Sequence, residues 1–157
     1  MIRTIALVCC TLVSARLQAA APIQDWKVYR NERFGFELCY PASLRPGPES
    51  GSGDGRAFEA RDGAKLTVFG ELGDIEGASL TTRAGEAEKD LRAQGATVTY
   101  RAKGVSWIVL SGTQGRSIYY HKIVFRDGAF RDLEISYPAA GASVWNSATA
   151  RIARCFN

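Results

Sequence analysis

A run of alternating apolar residues that ends at a proline constrains the fold of this chain more than any other stretch. In residues 34–40, large apolar side chains occupy every second position, which is the period of a β-strand with one buried face. Pro41 has no N–H to give to a neighbouring strand and therefore ends this one. Cys39 thus lies on a strand, and Cys155 lies at the end of a predicted helix. A disulfide between them would fasten the first core strand to the last element of the chain.

The first 20 residues have the pattern of a secretory signal peptide. Arg3 precedes an apolar run, residues 5–13, that is much shorter than the roughly 20 residues needed to span a membrane, and small residues at 19–21 offer a cleavage site. We therefore expect residues 1–20 to be removed and residues 21–157 to form a single domain. The mature protein is expected to be periplasmic or secreted, with no stable membrane insertion. A buried N-terminal strand or helix is the alternative.

Loss of the leader changes the counts of cysteines and charges. Of the four cysteines only Cys39 and Cys155 remain, and in an exported protein an even pair is most economically a disulfide, with two buried free thiols as the alternative. Lys and Arg fall from 20 to 18 against 16 Asp and Glu, so the formal net charge falls from +4 to +2. No basic tract is interleaved with aromatic residues. We therefore expect no nucleic-acid partner.

The remaining pattern is that of short strands joined by tight turns, with two helices. Helices are predicted from about residue 80 to Gly95 and over 142–156; strands are predicted at 23–30, 34–40, 56–60, 64–70, 97–101, 106–112, 116–126 and 130–137. Glycine-containing turns make most strand pairs hairpins, so the strands are antiparallel. The sequence therefore predicts an α+β fold, a mainly antiparallel β-sheet covered by two α-helices.

Two further stretches carry structural expectations. Residues 42–55 are crowded with proline, glycine and serine, which predicts a long loop, and loops of that length in a compact domain are usually functional or mobile. Residues 107–110 are apolar on both faces, which predicts a central strand of the sheet.

A series of short motifs follows in a recognisable order. They are Tyr29-x-Asn31-x-Arg33-Phe34-Gly35-Phe36, Tyr40-Pro41, Asp54-Gly55, Trp107, Ser111-Gly112, Tyr119-Tyr120 and Tyr137-Pro138. Together they resemble secreted bacterial proteins of the PsbP-like superfamily, over nearly all of the chain after the leader. The resemblance implies a PsbP-like α/β sandwich that serves as an accessory or binding module. It brings no catalytic residue to this sequence and no docking segment for a photosynthetic complex.

His121 is the only histidine, and it lies on a predicted strand that also carries Tyr119 on the same face. It could act as a general base or as a pH-sensitive contact, or it could be a half-buried histidine bonded to a neighbour. One histidine and no free cysteine argue against a Cys-His nucleophile and against a multi-histidine zinc site. A Ser-His-Asp arrangement with Ser111 or Ser117 stays formally open, although no nucleophile-elbow motif supports it.

The other candidate binding residues flank the predicted loop or lie on aromatic strands. Asp54 lies at the end of residues 42–55 and Arg56 directly after it. Tyr119 and Tyr120 with Trp107 could line an aromatic groove for a ligand, sugar or peptide, or simply pack across strands. The glycine-rich tract 51–55 lacks the Lys-Ser/Thr of a phosphate-binding loop. The carboxylates near it do not have the spacing of a calcium loop. We expect no catalytic residue, no metal and no cofactor.

These observations predict an exported, non-enzymatic accessory or binding domain. It would recognise a protein or a small ligand in the cell envelope through residues 42–55 and the adjacent face of the sheet. Two alternatives come from other classes of function: an immunity protein against a secreted toxin, and a small envelope hydrolase that uses His121.

Overall fold

The computed structural model describes residues 25–73 and 78–156. The predicted leader and its cleavage site lie outside these residues, as do Asp74 and Glu76. Within the described ranges, no helix is long and apolar enough to cross a membrane.

The described chain forms strands and helices in the order βββββαββββα, with one short 3-10 helix before the last element. The elements are β1 (Trp26–Asn31), β2 (Phe36–Pro41), β3 (Arg45–Glu49), β4 (Gly55–Glu59), β5 (Lys65–Leu72), α1 (Leu80–Ala93), β6 (Ala96–Lys103), β7 (Trp107–Gln114), β8 (Ser117–Arg126), β9 (Ala129–Pro138) and α2 (Ala142–Cys155). Strands β1 and β2 pair only with each other, whereas the other seven form one antiparallel sheet in the order β3-β4-β5-β9-β8-β7-β6. This confirms the predicted α+β fold with a mainly antiparallel sheet and two helices.

The seven-stranded sheet is the middle layer of the molecule. On one face α1 packs against β6, β7 and β8, where Ala84 contacts a cluster with Ile123 and Phe130. On the other face α2 packs against β8, β9 and the β1–β2 hairpin, and Trp145 and Ile152 enter the larger apolar core. Because side chains alternate along a strand, β8 and β9 supply both cores at once.

Local sequence explains where α1 begins and ends. Ser79 is the N-cap, and its Oγ accepts a hydrogen bond of 3.1 Å from the N–H of Thr82. Gly95, at φ +81°, adopts the left-handed conformation that commonly follows a helix. The observed helix therefore agrees with the predicted bounds, from about residue 80 to Gly95.

The turn between β8 and β9 sets the register of the two central strands. Asp127 and Gly128 have φ values of 53° and 74°, so the two-residue turn has the positive angles of a type I′ hairpin. This register places His121 directly opposite Glu134 and places Ile123 opposite Asp132.

The prediction that residues 42–55 form one long loop is wrong. Arg45–Glu49 is the strand β3, which pairs with β4 and has a register irregularity between Pro46 and Glu49. Prolines are tolerated in β3 because it is the edge strand of the sheet, with no neighbour on its outer side. Residues 42–44 and 50–54 remain as turns, and in the second turn the Gly53 N–H donates to the Ser50 carbonyl at 2.9 Å.

The prediction of a central position for the strand at residues 107–110 is also wrong. Strand β7 is next to the edge strand β6, and the central strand is β9. Val109 and Leu110 are nevertheless both buried, on opposite faces: α1 covers the face that carries Leu110, and Val109 lines the concave surface beside α2. Burial on both faces therefore did not indicate position in the sheet.

The predicted disulfide is confirmed. Cys39 on β2 is bonded to Cys155 at the end of α2, with 5.6 Å between the Cα atoms. The bond fastens the β1–β2 hairpin, which lies outside the main sheet, to the helix that packs beside it.

Candidate functional site

A groove of about 320 Å³ lies between α1 and the uncovered part of the sheet formed by β5, β9 and β8. It exists because α1 packs over β6, β7 and β8 and leaves the strands beyond them open. We call it the α1 groove; among its lining residues are Arg83, Asp90, Tyr119, His121, Glu134 and Ser136.

The floor of the α1 groove holds a buried histidine–aspartate pair. His121 Nε2 lies 2.7 Å from Asp132 Oδ1, and the two side chains are 7% and 0% exposed. Glu134, directly opposite His121 in the ladder, is half-exposed, with Oε1 at 3.8 Å from the same nitrogen. The partner of His121 is thus the diagonal residue Asp132. A buried carboxylate on one ring nitrogen fixes the orientation of an imidazole.

Arg83 of α1 places a positive charge next to the carboxylates of Asp132 and Glu71. One of its terminal nitrogens lies 3.0 Å from Glu71 Oε2 and 3.6 Å from Asp132 Oδ2, so the helix is tied to β5 and to the centre of the sheet. The contact with Asp132 is an ion pair that is too long to be a hydrogen bond.

Three buried polar atoms of this cluster have no hydrogen-bond partner within the protein. They are Arg83 Nε, Asp132 Oδ2 and the hydroxyl of Tyr119. A buried polar group left in this state costs about 1–3 kcal/mol. Of the three residues, Arg83 and Tyr119 line the α1 groove, and Asp132 lies beneath it. Burial, and then the charge of Glu88, raise the pKa of Tyr119, which keeps its hydroxyl protonated as a donor at neutral pH.

The structure separates the five residues that the sequence proposed for binding. Tyr119 and His121 both line the α1 groove. Trp107 faces the opposite side of the sheet, where it packs against the core beneath α2. Tyr119 and Tyr120 point to opposite faces because successive side chains alternate along a strand. Tyr119 therefore does not share a groove with Trp107, whereas Tyr120 lines a concave surface together with Trp107.

Asp54 and Arg56 are engaged in ion pairs within the protein. Asp54 Oδ1 lies 2.6 Å from an Arg33 terminal nitrogen, and the same nitrogen donates to the Ser52 carbonyl. Arg56 Nε lies 2.9 Å from Glu49 Oε2 on the neighbouring strand. These contacts hold the 50–54 turn against the β1–β2 hairpin, and they give both side chains a structural role.

Sequence reasoning missed Asp132 and Arg83, although one pattern in the sequence pointed to Asp132. An Asp-Gly pair between two strands predicts a two-residue turn, and that turn fixes which residues of β8 and β9 are neighbours. The alternation of Asp132 and Glu134 with Leu133 along the strand predicts that Asp132 lies on a partly solvent-exposed face, whereas α1 and Arg83 cover it completely.

The two serines proposed as partners of His121 are not hydrogen-bonded to it. Ser111 Oγ donates to the Tyr119 carbonyl at 2.6 Å, and Ser117 is at the far end of β8, opposite Pro138. Among the residues the structure describes, no group of three or more His, Cys, Asp or Glu side chains is placed to hold a metal ion.

Comparisons with protein-family models and with curated proteins give no match. Among solved structures, the chain is similar to the solution structure of cyanobacterial PsbP (CyanoP) from Synechocystis sp. PCC 6803, with a TM-score of 0.64 and 13% sequence identity. The match covers 92% of this chain and 98% of that one. At this level of identity the likeness shows the fold alone. The chain has a PsbP-like α+β fold.

Proposed function

We propose that this chain is an exported, non-enzymatic binding domain that recognises a polar ligand of the cell envelope in the α1 groove. The observation that carries the proposal is the floor of that groove. It combines an oriented histidine–aspartate pair with a buried tyrosine hydroxyl that no protein atom satisfies. Groups of this kind fix the orientation and identity of a bound ligand.

Export is supported by two independent features. Residues 1–20 have the composition of a secretory leader, and the Cys39–Cys155 disulfide is of the kind that persists in oxidising compartments. We therefore propose that the mature domain is a periplasmic or secreted bacterial member of the PsbP-like superfamily. Its partner is an envelope protein or a small molecule, and nucleic acid is not among the partners proposed.

The hydrogen bonds around His121 favour binding over hydrolysis. Its Nε2 is hydrogen-bonded to Asp132. Ser111, one of the two serines proposed as a nucleophile, donates its hydroxyl hydrogen bond to a backbone carbonyl. A hydrolase that used His121 would need a nucleophile within about 3 Å of the imidazole. The immunity-protein alternative differs from the proposal only in the partner, which would be a secreted toxin.

Photo-crosslinking at the rim of the groove tests the proposal. A benzophenone side chain is placed at Asp90, which lines the groove on α1, and in a matched control at Ser147, which is exposed on α2 across the sheet. The oxidised protein is then irradiated in envelope extracts of its host. We expect a specific adduct at position 90 alone. A gel shift identifies a protein partner, and an intact-mass increase identifies a small ligand.

A second variant connects the adduct to the floor of the groove. Tyr119→Phe removes the unpartnered hydroxyl and leaves the ring, so it should weaken the adduct at position 90 without unfolding the domain. Equal labelling at positions 90 and 147, or no adduct at either, would overturn the proposal. Hydrolysis of an ester or peptide substrate that is lost in folded His121→Ala would favour the enzyme alternative instead.

A further inference from the structure

A second concave surface lies on the opposite face of the sheet from the α1 groove. Helix α2 packs over β8, β9 and β2, so the same face of β6 and β7 extends beyond the helix. The resulting trough has a volume of about 470 Å³, which is within the range of small-molecule sites. We call it the α2 trough; its main lining residues are Tyr100, Trp107, Val109, Tyr120, Lys122 and Arg154.

Three aromatic rings form the apolar part of this surface. Tyr100 on the edge strand is 57% exposed, and Trp107 and Tyr120 are half-buried on the two strands beside it. Gly104 makes room for the indole of Trp107, since a Cβ at that position would come within 2.3 Å of its Nε1. On the helix side the wall consists of Ala150 and Ala153, whose small side chains keep the trough open.

The polar part of the trough is cationic. Lys122 Nζ projects from the floor and donates to the carbonyls of Ala153 at 2.8 Å and Phe156 at 2.9 Å, at the C-terminal end of α2. An ammonium group has three N–H donors, so these two acceptors leave one donor over. Within residues 25–73 and 78–156, no carboxylate is paired with Lys122 or with Arg154.

This arrangement is unusual because a half-buried ammonium is normally compensated by a full negative charge. The backbone carbonyls at the end of a helix carry only partial charge. Burial lowers the pKa of Lys122, which shows that the surroundings penalise its charged form. An anion beside Lys122 and Arg154 would supply the missing charge, and the rings of Tyr100, Trp107 and Tyr120 would cover a flat apolar body next to it.

We propose that the α2 trough binds a small aromatic carboxylate, with the carboxylate between Lys122 and Arg154 and the ring against Trp107 and Tyr120. This site has a different chemistry from the α1 groove and lies on the other face of the sheet. This proposal does not depend on the function proposed for that groove.

Three isosteric probes test the charge requirement. They are 2-naphthoate, its neutral analogue 2-naphthamide, and the cation 2-naphthylmethylammonium, each titrated into the oxidised protein while amide chemical shifts are followed. We expect 2-naphthoate to bind most tightly, the amide about tenfold more weakly, and the cation not at all. Shifts should cluster at Tyr100, Trp107 and Lys122 and be absent from the α1 groove.

Substitutions then distinguish the effect of the two cations on binding from an effect on the fold. Arg154→Gln removes an exposed charge and should weaken 2-naphthoate about fivefold while leaving 2-naphthamide unchanged. Lys122→Met should abolish the preference for the anion, although it also removes two contacts of the α2 terminus. The matched control is Lys89→Gln, an exposed cation on α1 across the sheet, which should change nothing.

The proposal is overturned if 2-naphthamide binds as tightly as 2-naphthoate, since the site would then be apolar only. It is also overturned if Arg154→Gln and Lys89→Gln have the same effect, because the preference would then come from net charge. Absence of saturable binding by any of the three probes would show that Lys122 serves only to cap the helix.

Discussion

His121 Nε2 on β8 and Asp132 Oδ1 on β9 lie 2.7 Å apart, joined diagonally across the two central strands of the sheet. Asp132 has no exposed surface, and its other close charge, Arg83, is 3.6 Å away. The pair is therefore both the floor of the α1 groove and part of the framework of the sheet.

Removal of His121 should destabilise the domain. His121→Ala leaves a buried carboxylate without its hydrogen bond, which we expect to lower the free energy of unfolding by about 3 kcal/mol. Urea denaturation followed by tryptophan fluorescence measures the change. The control is Glu134→Gln, which alters a half-exposed group 3.8 Å from the same nitrogen and should stay within about 0.5 kcal/mol. Equal small effects would show that Asp132 is satisfied without the histidine.

Reduction of the disulfide should lower stability much more than any surface substitution. Cys39 and Cys155 are separated by 116 positions, and closing a loop of that size contributes about 5 kcal/mol in the chain-entropy model. Denaturation curves with and without a phosphine reductant should differ by that amount. The double variant Cys39→Ser, Cys155→Ser should match the reduced protein and show no response to reductant; a response would indicate an effect of the reagent itself.

The bulge in β6 should require glycine on the neighbouring strand. A Cβ at Gly112 would lie 1.9 Å from the Thr97 carbonyl oxygen, next to the register shift between Val98 and Tyr100. Gly112→Ala should therefore cost about 3 kcal/mol, measured by thermal and urea unfolding. Gly51→Ala is the matched control, since nothing lies within 4 Å of its Cβ position. Similar losses in both variants would contradict the close approach.

Tyr120 should ionise far above the other tyrosines. Burial raises its pKa to about 12. The folded state therefore favours the protonated phenol, so its contribution to stability is complete below pH 10 and is lost as the pH rises towards 12. Absorbance at 295 nm should show a late step that is missing in Tyr120→Phe. Tyr100→Phe, on the exposed side of the same trough, is the control and should leave the late step in place.

The hairpins and both helices were predictable because their determinants are local. The cap at Ser79, the left-handed Gly95 and the two-residue turn at Asp127-Gly128 each act within a few residues. The disulfide could be predicted from the cysteine count together with the leader. For the caps and the turn, the interacting groups are close together in the sequence. For the disulfide, the two cysteines that remain after the leader allow only one pairing.

The failures all depend on neighbours that are distant in sequence. Residues 42–55 were predicted as a loop because proline opposes pairing, yet Arg45–Glu49 needs a partner on one side only. Asp132 was assigned to a wet face because nothing in the sequence shows that α1 packs over it. Lys122 was not singled out at all, since its acceptors are the carbonyls at the end of α2. Knowledge of which elements stack on each face would have been required.

The bond between Cys39 and Cys155 also determines how the domain responds to a pulling force. Residues 39–155 form a covalent ring that contains the entire seven-stranded sheet and both helices. A load applied at residues 25 and 156 runs through the sulfur atoms and bypasses every hydrogen-bonded ladder of that sheet. Only residues 25–38 can be drawn out, by about 50 Å at full extension. In the oxidised state the extension under load is thus limited to those residues, and reduction alone would let the seven-stranded sheet unravel.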